Sequence, residues 1–159
     1  MLARLQRFLD RIESGGGSAT APRDELATAA AALLAKAAAL DGGVDHRERA
    51  IAAERLVERF GVPRDEIDRV MAEAAQTAEH AVDLYGFTRI LKDRLDHEGR
   101  LMLMETLWEV VYADGTLHDY EAQLMRRLAG LLFVGDKDSG VARKRALAKL
   151  GLDDAGSSD

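Results

Sequence analysis

The sequence predicts an all-α protein, a single bundle of about seven helices with an internal pseudo-twofold helix-turn-helix repeat, on three observations. Apolar residues recur at i, i+3, i+4 and i+7 along most of its 159 residues. No segment alternates apolar with polar residues in the β-branched manner of a strand. An Asp-Gly turn flanked by apolar helices recurs after 73 residues.

The elements follow in chain order. Leu2, Leu5, Phe8, Leu9 and Ile12 share one face of an amphipathic helix over residues 1–13, and Arg4, Arg7 and Arg11 occupy the rest of its surface. Residues 14–21, with Ser14, three glycines and Ser18, read as a flexible linker that tethers this helix loosely to a helical domain over 22–151. Pro22 sits where a helix can begin, with Asp24 and Glu25 complementing its dipole, and the Ala-rich stretch then runs to Leu40. Asp45 caps the next helix, which turns Ile51, Leu56, Val57 and Phe60 inward and stops at Gly61. Pro63 opens another, with Ile67, Val70, Met71 and Ala74 as its stripe. A fifth helix runs from Val82 to Asp96, followed by a turn through Gly99. Leu101, Met104, Leu107, Trp108 and Val111 mark the sixth, and Leu117, Leu124, Leu128, Leu131 and Leu132 the seventh. A short last helix spans Val141 to Leu150. The tail 152–159 is small and acidic, a composition that does not fold by itself.

Composition excludes several function classes. With 22 Lys and Arg against 28 Asp and Glu, the net charge of -6 argues against a phosphate-neutralising surface, so nucleic acid is not expected as a partner. The chain has no cysteine, which removes thiolate metal sites and cysteine nucleophiles. The Ala27 to Leu40 run is shorter than the roughly 20 apolar residues that span a bilayer. Met1 to Ile12 lacks the layout of a secretory signal, so the expected compartment is the cytoplasm. Gly15 to Gly17 lacks the Lys-Ser/Thr of a phosphate loop, no nucleophile-elbow or zinc-protease pattern occurs, and the serines lie at linkers and ends. An enzyme is not expected. The many carboxylate pairs of a 31% charged helical chain read as solvated faces, and Trp108 with Met102, Met104 and Tyr112 as core packing.

The duplicated turn is the informative feature. Asp41-Gly42, Val44 and Glu48 fall at the same offsets as Asp114-Gly115, Leu117 and Glu121, with Ile51 and Leu124 in step. Helix grammar explains most of this: glycine ends a helix in the left-handed conformation, and Asp45 with Glu48, or His118 with Glu121, has the form of a capping box. Asp41 and Asp114 stand near helix C-termini, where the dipole disfavours a negative charge by a few tenths to ~1 kcal/mol. The spacing matches the second half of an EF-hand loop, but Ala37 and Ala39, or Val110 and Tyr112, stand where the first oxygen ligands belong. A site therefore requires both turns. Asp41, Glu48, Asp114 and Glu121, with Asp45 or Asp119 as helpers, offer only oxygen and would select Ca²⁺ or Mg²⁺. Of the four histidines, His118 alone lies inside the second turn.

These turns, the segment Leu107 to Gly115 and the trailing Glu121 to Leu132 resemble the TerB-like family of tellurite-resistance proteins, which is related to the N-terminal domain of DjlA-type co-chaperones. The resemblance spans Asp24 to Phe133. It implies an all-helical domain of about seven helices and an acidic surface for divalent cations, with Asp41, Glu48, Asp114 and Glu121 at the family's acidic positions. It also implies a stress-response setting with a membrane-embedded protein partner from the same system. The chain departs from the fullest pattern in Leu40 and His118, and it has no His-Pro-Asp tripeptide, which excludes a J-domain activity. Two readings result. One is a non-enzymatic binding module with a weak divalent-cation site; the other is a metal-free interaction scaffold like the DjlA N-terminal domain. The helix over residues 1–13 adds a route to a homodimer.

Overall fold

A computed structural model describes residues 20–38, 46–80 and 84–152, with side chains described for 25–38, 46–78 and 84–152. Within these residues lie seven α-helices, one 3-10 turn and no strand, so the protein is all-α. The helices are α1 (Thr20–Ala38), α2 (His46–Phe60), α3 (Ile67–His80), α4 (Tyr85–Arg94), α5 (His97–Val111), α6 (Asp119–Leu131) and α7 (Asp136–Lys149), with the 3-10 turn Arg64–Glu66 leading into α3. The proposed helix over 1–13, the linker residues 14–19, and Asp41 and Asp45 of the first turn lie outside the described residues, as does the tail beyond Leu152.

Two helices are buried over most of their length, and the others pack around them. In α1 Leu26 and the whole run Ala29 to Ala35 are buried, and the helix packs against α2, α3, α4 and α5. Alanine is the strongest helix former and its methyl group lets neighbouring backbones approach closely, so a side-chain-poor helix serves as the central post. In α5 every residue from Met102 to Tyr112 is buried, and α7 crosses it as its main neighbour. Trp108, Met102, Met104 and Tyr112 are core residues as expected. Trp108 Nε1 donates to Ser139 Oγ at 3.3 Å, and the Tyr112 hydroxyl accepts from Arg143 at 3.3 Å. Burying each of the large core leucines, such as Leu33, Leu103 and Leu128, stabilises the bundle by ~1.5–3 kcal/mol.

Several boundaries differ from the sequence expectation for local reasons. The turn expected through Gly99 is the start of α5: Asp96 is its N-cap, and Asp96 Oδ1 accepts from the Gly99 amide at 2.8 Å. The last helix begins at Asp136, five residues before Val141, because Gly135 supplies the extended cap and Asp136 and Asp138 the acidic first turn. Its apolar stripe is sparse there, which hid it from periodicity. Leu152 still belongs to the folded body, its amide donating to Leu147 O at 2.8 Å.

Both α2 and α6 end in a left-handed residue followed by a buried valine. In α2 it is Gly61 (φ 71°) before Val62, and in α6 it is Phe133 (φ 58°) before Val134, whose amide donates to Ala129 O at 2.8 Å. Glycine takes this conformation freely, whereas a residue with a Cβ is disfavoured there by ~1–2 kcal/mol.

Candidate functional site

The repeat places its glutamates alike. Glu48 and Glu121 are each the third residue of their helix, α2 and α6, and both side chains are buried. Their side chains lie close enough to interact, and Glu48 is among the groups that act on the titration of Glu121. Burial raises the pKa of Glu121 above the usual glutamate range, and the charge of Asp114 pushes the same way. The His118 amide, Glu48 and the His118 side chain oppose the rise without cancelling it.

The second turn orders the remaining groups. Gly115 (φ 89°) reverses the chain after α5, and Asp114 Oδ1 accepts from the Thr116 amide at 3.0 Å. This is an aspartate turn, and it gives Asp114 a structural role that the sequence reading did not assign. Its other oxygen lies 3.6 Å from His118 Nε2. Glu121 Oε1 accepts from the His118 amide at 3.0 Å, the reciprocal half of a capping box, and the His118 ring stacks on Tyr120 with centroids 5.5 Å apart. Asp119 is exposed to solvent.

Of the four acidic positions expected to form a shared site, the described residues thus bring Glu48 and Glu121 close enough to interact, with Asp114 near enough to act on Glu121 electrostatically. Asp41 and the helper Asp45 lie outside them. Among the described residues, no three Asp, Glu or His side chains group closely enough to hold a metal ion.

A second charged cluster lies inside the bundle, where the sequence reading placed only solvated faces. Arg59 of α2, nearly buried, donates from Nη1 to Thr106 Oγ1 at 2.6 Å and to Glu109 Oε2 at 2.7 Å, and its Nη2 lies 3.7 Å from Glu105. Arg55 Nε donates to the other Glu109 oxygen at 2.7 Å, and Lys149 of α7 pairs with Glu105. Burial opposes the charge on Arg55, but its contacts with Glu109 and Glu58 outweigh that and raise its pKa. The network ties α2, α5 and α7 together. Its signal in the sequence is Glu105 and Glu109 at i,i+4 on a helix otherwise apolar on all sides, facing Arg55 and Arg59 at the same spacing.

No helix among the described residues is long and apolar enough to cross a membrane. No curated protein and no solved structure matches the chain. The family model for tellurite resistance protein TerB matches residues 27–144, which takes in α2 to α6 complete and most of α1 and α7. With both Asp-Gly turns and both buried glutamates inside that span, the chain belongs to the TerB family.

Proposed function

We propose that this domain is a non-enzymatic binding module of the tellurite-resistance and stress-response type, which holds Ca²⁺ or Mg²⁺ weakly between its two Asp-Gly turns. Asp41, Glu48, Asp114 and Glu121 supply the oxygens, with Asp45 and Asp119 acting through water. The observation that supports this reading is that two buried glutamates, one from each copy of the repeat, lie close enough to act on one another, with Asp114 acting on Glu121 as well. Apposed buried carboxylates need a proton or a cation between them. A hard cation placed between them would take the oxygen ligands it prefers. Through this face the module would meet a protein partner in the cytoplasm, a membrane-embedded component of the same system being the kind that the family implies.

A metal-free scaffold is the alternative, and two observations favour it: Glu121 already serves as a helix cap, and Asp114 already holds its own turn. NMR titration of the full chain with Ca²⁺, Mg²⁺ and Zn²⁺ separates the two. The cation reading expects shifts in the amides of Glu48, Glu121 and His118 at up to ~1 mM Ca²⁺, the weak end of calcium modules. Spectra unchanged at that concentration, or an Asp41→Asn/Asp114→Asn variant that binds as the parent does, favour the scaffold.

A further inference from the structure

The exposed aromatic at the end of α6 has no role in the folding of its own turn. Phe133 is 70% exposed, and the equivalent ending of α2 makes the same left-handed reversal with Gly61. Lys92 Nζ lies over one side of the ring, 4.5 Å from its centroid, and leaves the rest of it to solvent. Carboxylates and cations share this end of the bundle. Asp136 opens α7 three residues on, Asp93 lies 4.0 Å from both Lys92 and Arg89, and Asp138 of α7 lies 3.4 Å from His97 at the start of α5. All three carboxylates are at least partly open to solvent.

This is also the end of the bundle from which the N-terminal part of the chain departs. Glu25, near the start of α1, pairs with Arg94 at 3.5 Å, and Arg94 is two residues from Lys92. Residues 13–19 precede α1 at that end, and fully extended they reach about 25 Å at ~3.3–3.6 Å per residue. Before them stand five apolar side chains at helical spacing, Leu2, Leu5, Phe8, Leu9 and Ile12, with Arg4, Arg7 and Arg11 between.

We propose that residues 2–12 dock in cis as an amphipathic helix on the Phe133 surface, with their arginines toward Asp93, Asp136 and Asp138. Three things agree: an aromatic that is 70% exposed, solvent-open carboxylates at the same end of the bundle that can take arginine partners, and a tether that starts there. A short linker holds the segment at millimolar effective concentration, which favours its own body over a second copy. The docked segment covers Phe133, at the opposite end of α6 from the buried Glu121.

The absence of cysteine makes the test direct. A nitroxide on a Gln6→Cys variant of the full chain is expected to broaden the amide signals of Phe133, Val134 and Lys92. That broadening should disappear in Phe133→Asn, which keeps a residue tolerant of positive φ, and in Phe8→Ser, which leaves the body unaltered. Trypsin should also cut at Arg7 and Arg11 about tenfold faster in both variants, as cleavage follows the undocked fraction. Broadening that is absent, that falls on another face, or that survives either substitution overturns the proposal. So does broadening carried only between chains, seen when spin-labelled chains are mixed with separate ¹⁵N-labelled ones, which would assign the surface to a second copy.

Discussion

Arg59 and Glu109 form a buried ion pair, Nη1 to Oε2 at 2.7 Å, between the second and fifth helices of a bundle whose core is largely apolar. Glu109 has no solvent exposure and also accepts from Arg55, so it holds two guanidinium groups. Breaking such a pair from one side leaves uncompensated charge in a low-dielectric interior, which costs about 3–5 kcal/mol, whereas the intact pair is near neutral against apolar packing. Glu109→Ala is therefore expected to lower the melting temperature by about 6–20 °C at ~2–4 °C per kcal/mol for a domain of this size. Arg59→Met/Glu109→Gln, which removes the central charge pair together, should lose less than the two single variants added. Thermal unfolding followed by circular dichroism measures all of them. A loss under ~1 kcal/mol for Glu109→Ala would show that water reaches the cluster.

The paired glutamates make stability depend on pH in a definite direction. Glu121 has a raised pKa in the folded state, so between the ordinary glutamate value of ~4.3 and that raised value the native state binds more protons than the unfolded chain. Stability from this group is fully present below that window and falls as pH rises through it. Glu121→Gln keeps an oxygen to accept from the His118 amide and removes the titration. Urea midpoints between pH 4 and 7, measured with a chelator present, should fall with pH in the parent and fall less in the variant. Equal slopes would mean that Glu121 is ionised as readily in the bundle as in the unfolded chain.

The helical class, the Asp-Gly repeat and the Trp108 core were legible because each rests on local spacing. Apolar period, glycine at a left-handed position and capping residues are properties of a few neighbouring positions. What was not legible depends on partners distant in sequence. Glu105 and Glu109 stand out only as i,i+4 acids on an otherwise apolar helix, and their partners Arg55 and Arg59 are delivered by α2 from far back in the chain. The first five residues of α7 were missed because that helix starts on Gly135 and acids, with its apolar contacts set by α5. At the site, the sequence placed Glu48 and Glu121 at matching offsets, and the fold brings their side chains close enough to interact. For Asp114 the helix dipole does not act alone: a side-chain bond two residues forward offsets the unfavourable position.

That bond makes Asp114→Asn a discriminating substitution. Asparagine Oδ1 accepts from the Thr116 amide as aspartate does, so the turn survives and stability should stay within about 0.5 kcal/mol of the parent. The negative charge near Glu121 is gone. If a cation is held between the turns, its NMR-detected affinity should fall at least several-fold while the melting temperature is unchanged. A variant that loses stability and keeps its titration shifts would make Asp114 a turn residue alone.

Two glycines separate backbone need from helix propensity. Gly115 sits at φ 89° with open space where a Cβ would stand, so Gly115→Ala is strained by conformation and not by contact, and should destabilise by ~1–2 kcal/mol. Gly140 lies inside α7, at ordinary helical φ, and a Cβ there meets nothing within 4 Å. Gly140→Ala should accordingly stabilise by about 0.5–1 kcal/mol through the entropy removed from the unfolded chain. The two changes lie in separate elements and should add. Denaturant midpoints for both single variants and the double test this. A neutral Gly115→Ala would show that the turn relaxes out of the left-handed region, and Asp114 would then lose the Thr116 amide that it now accepts from.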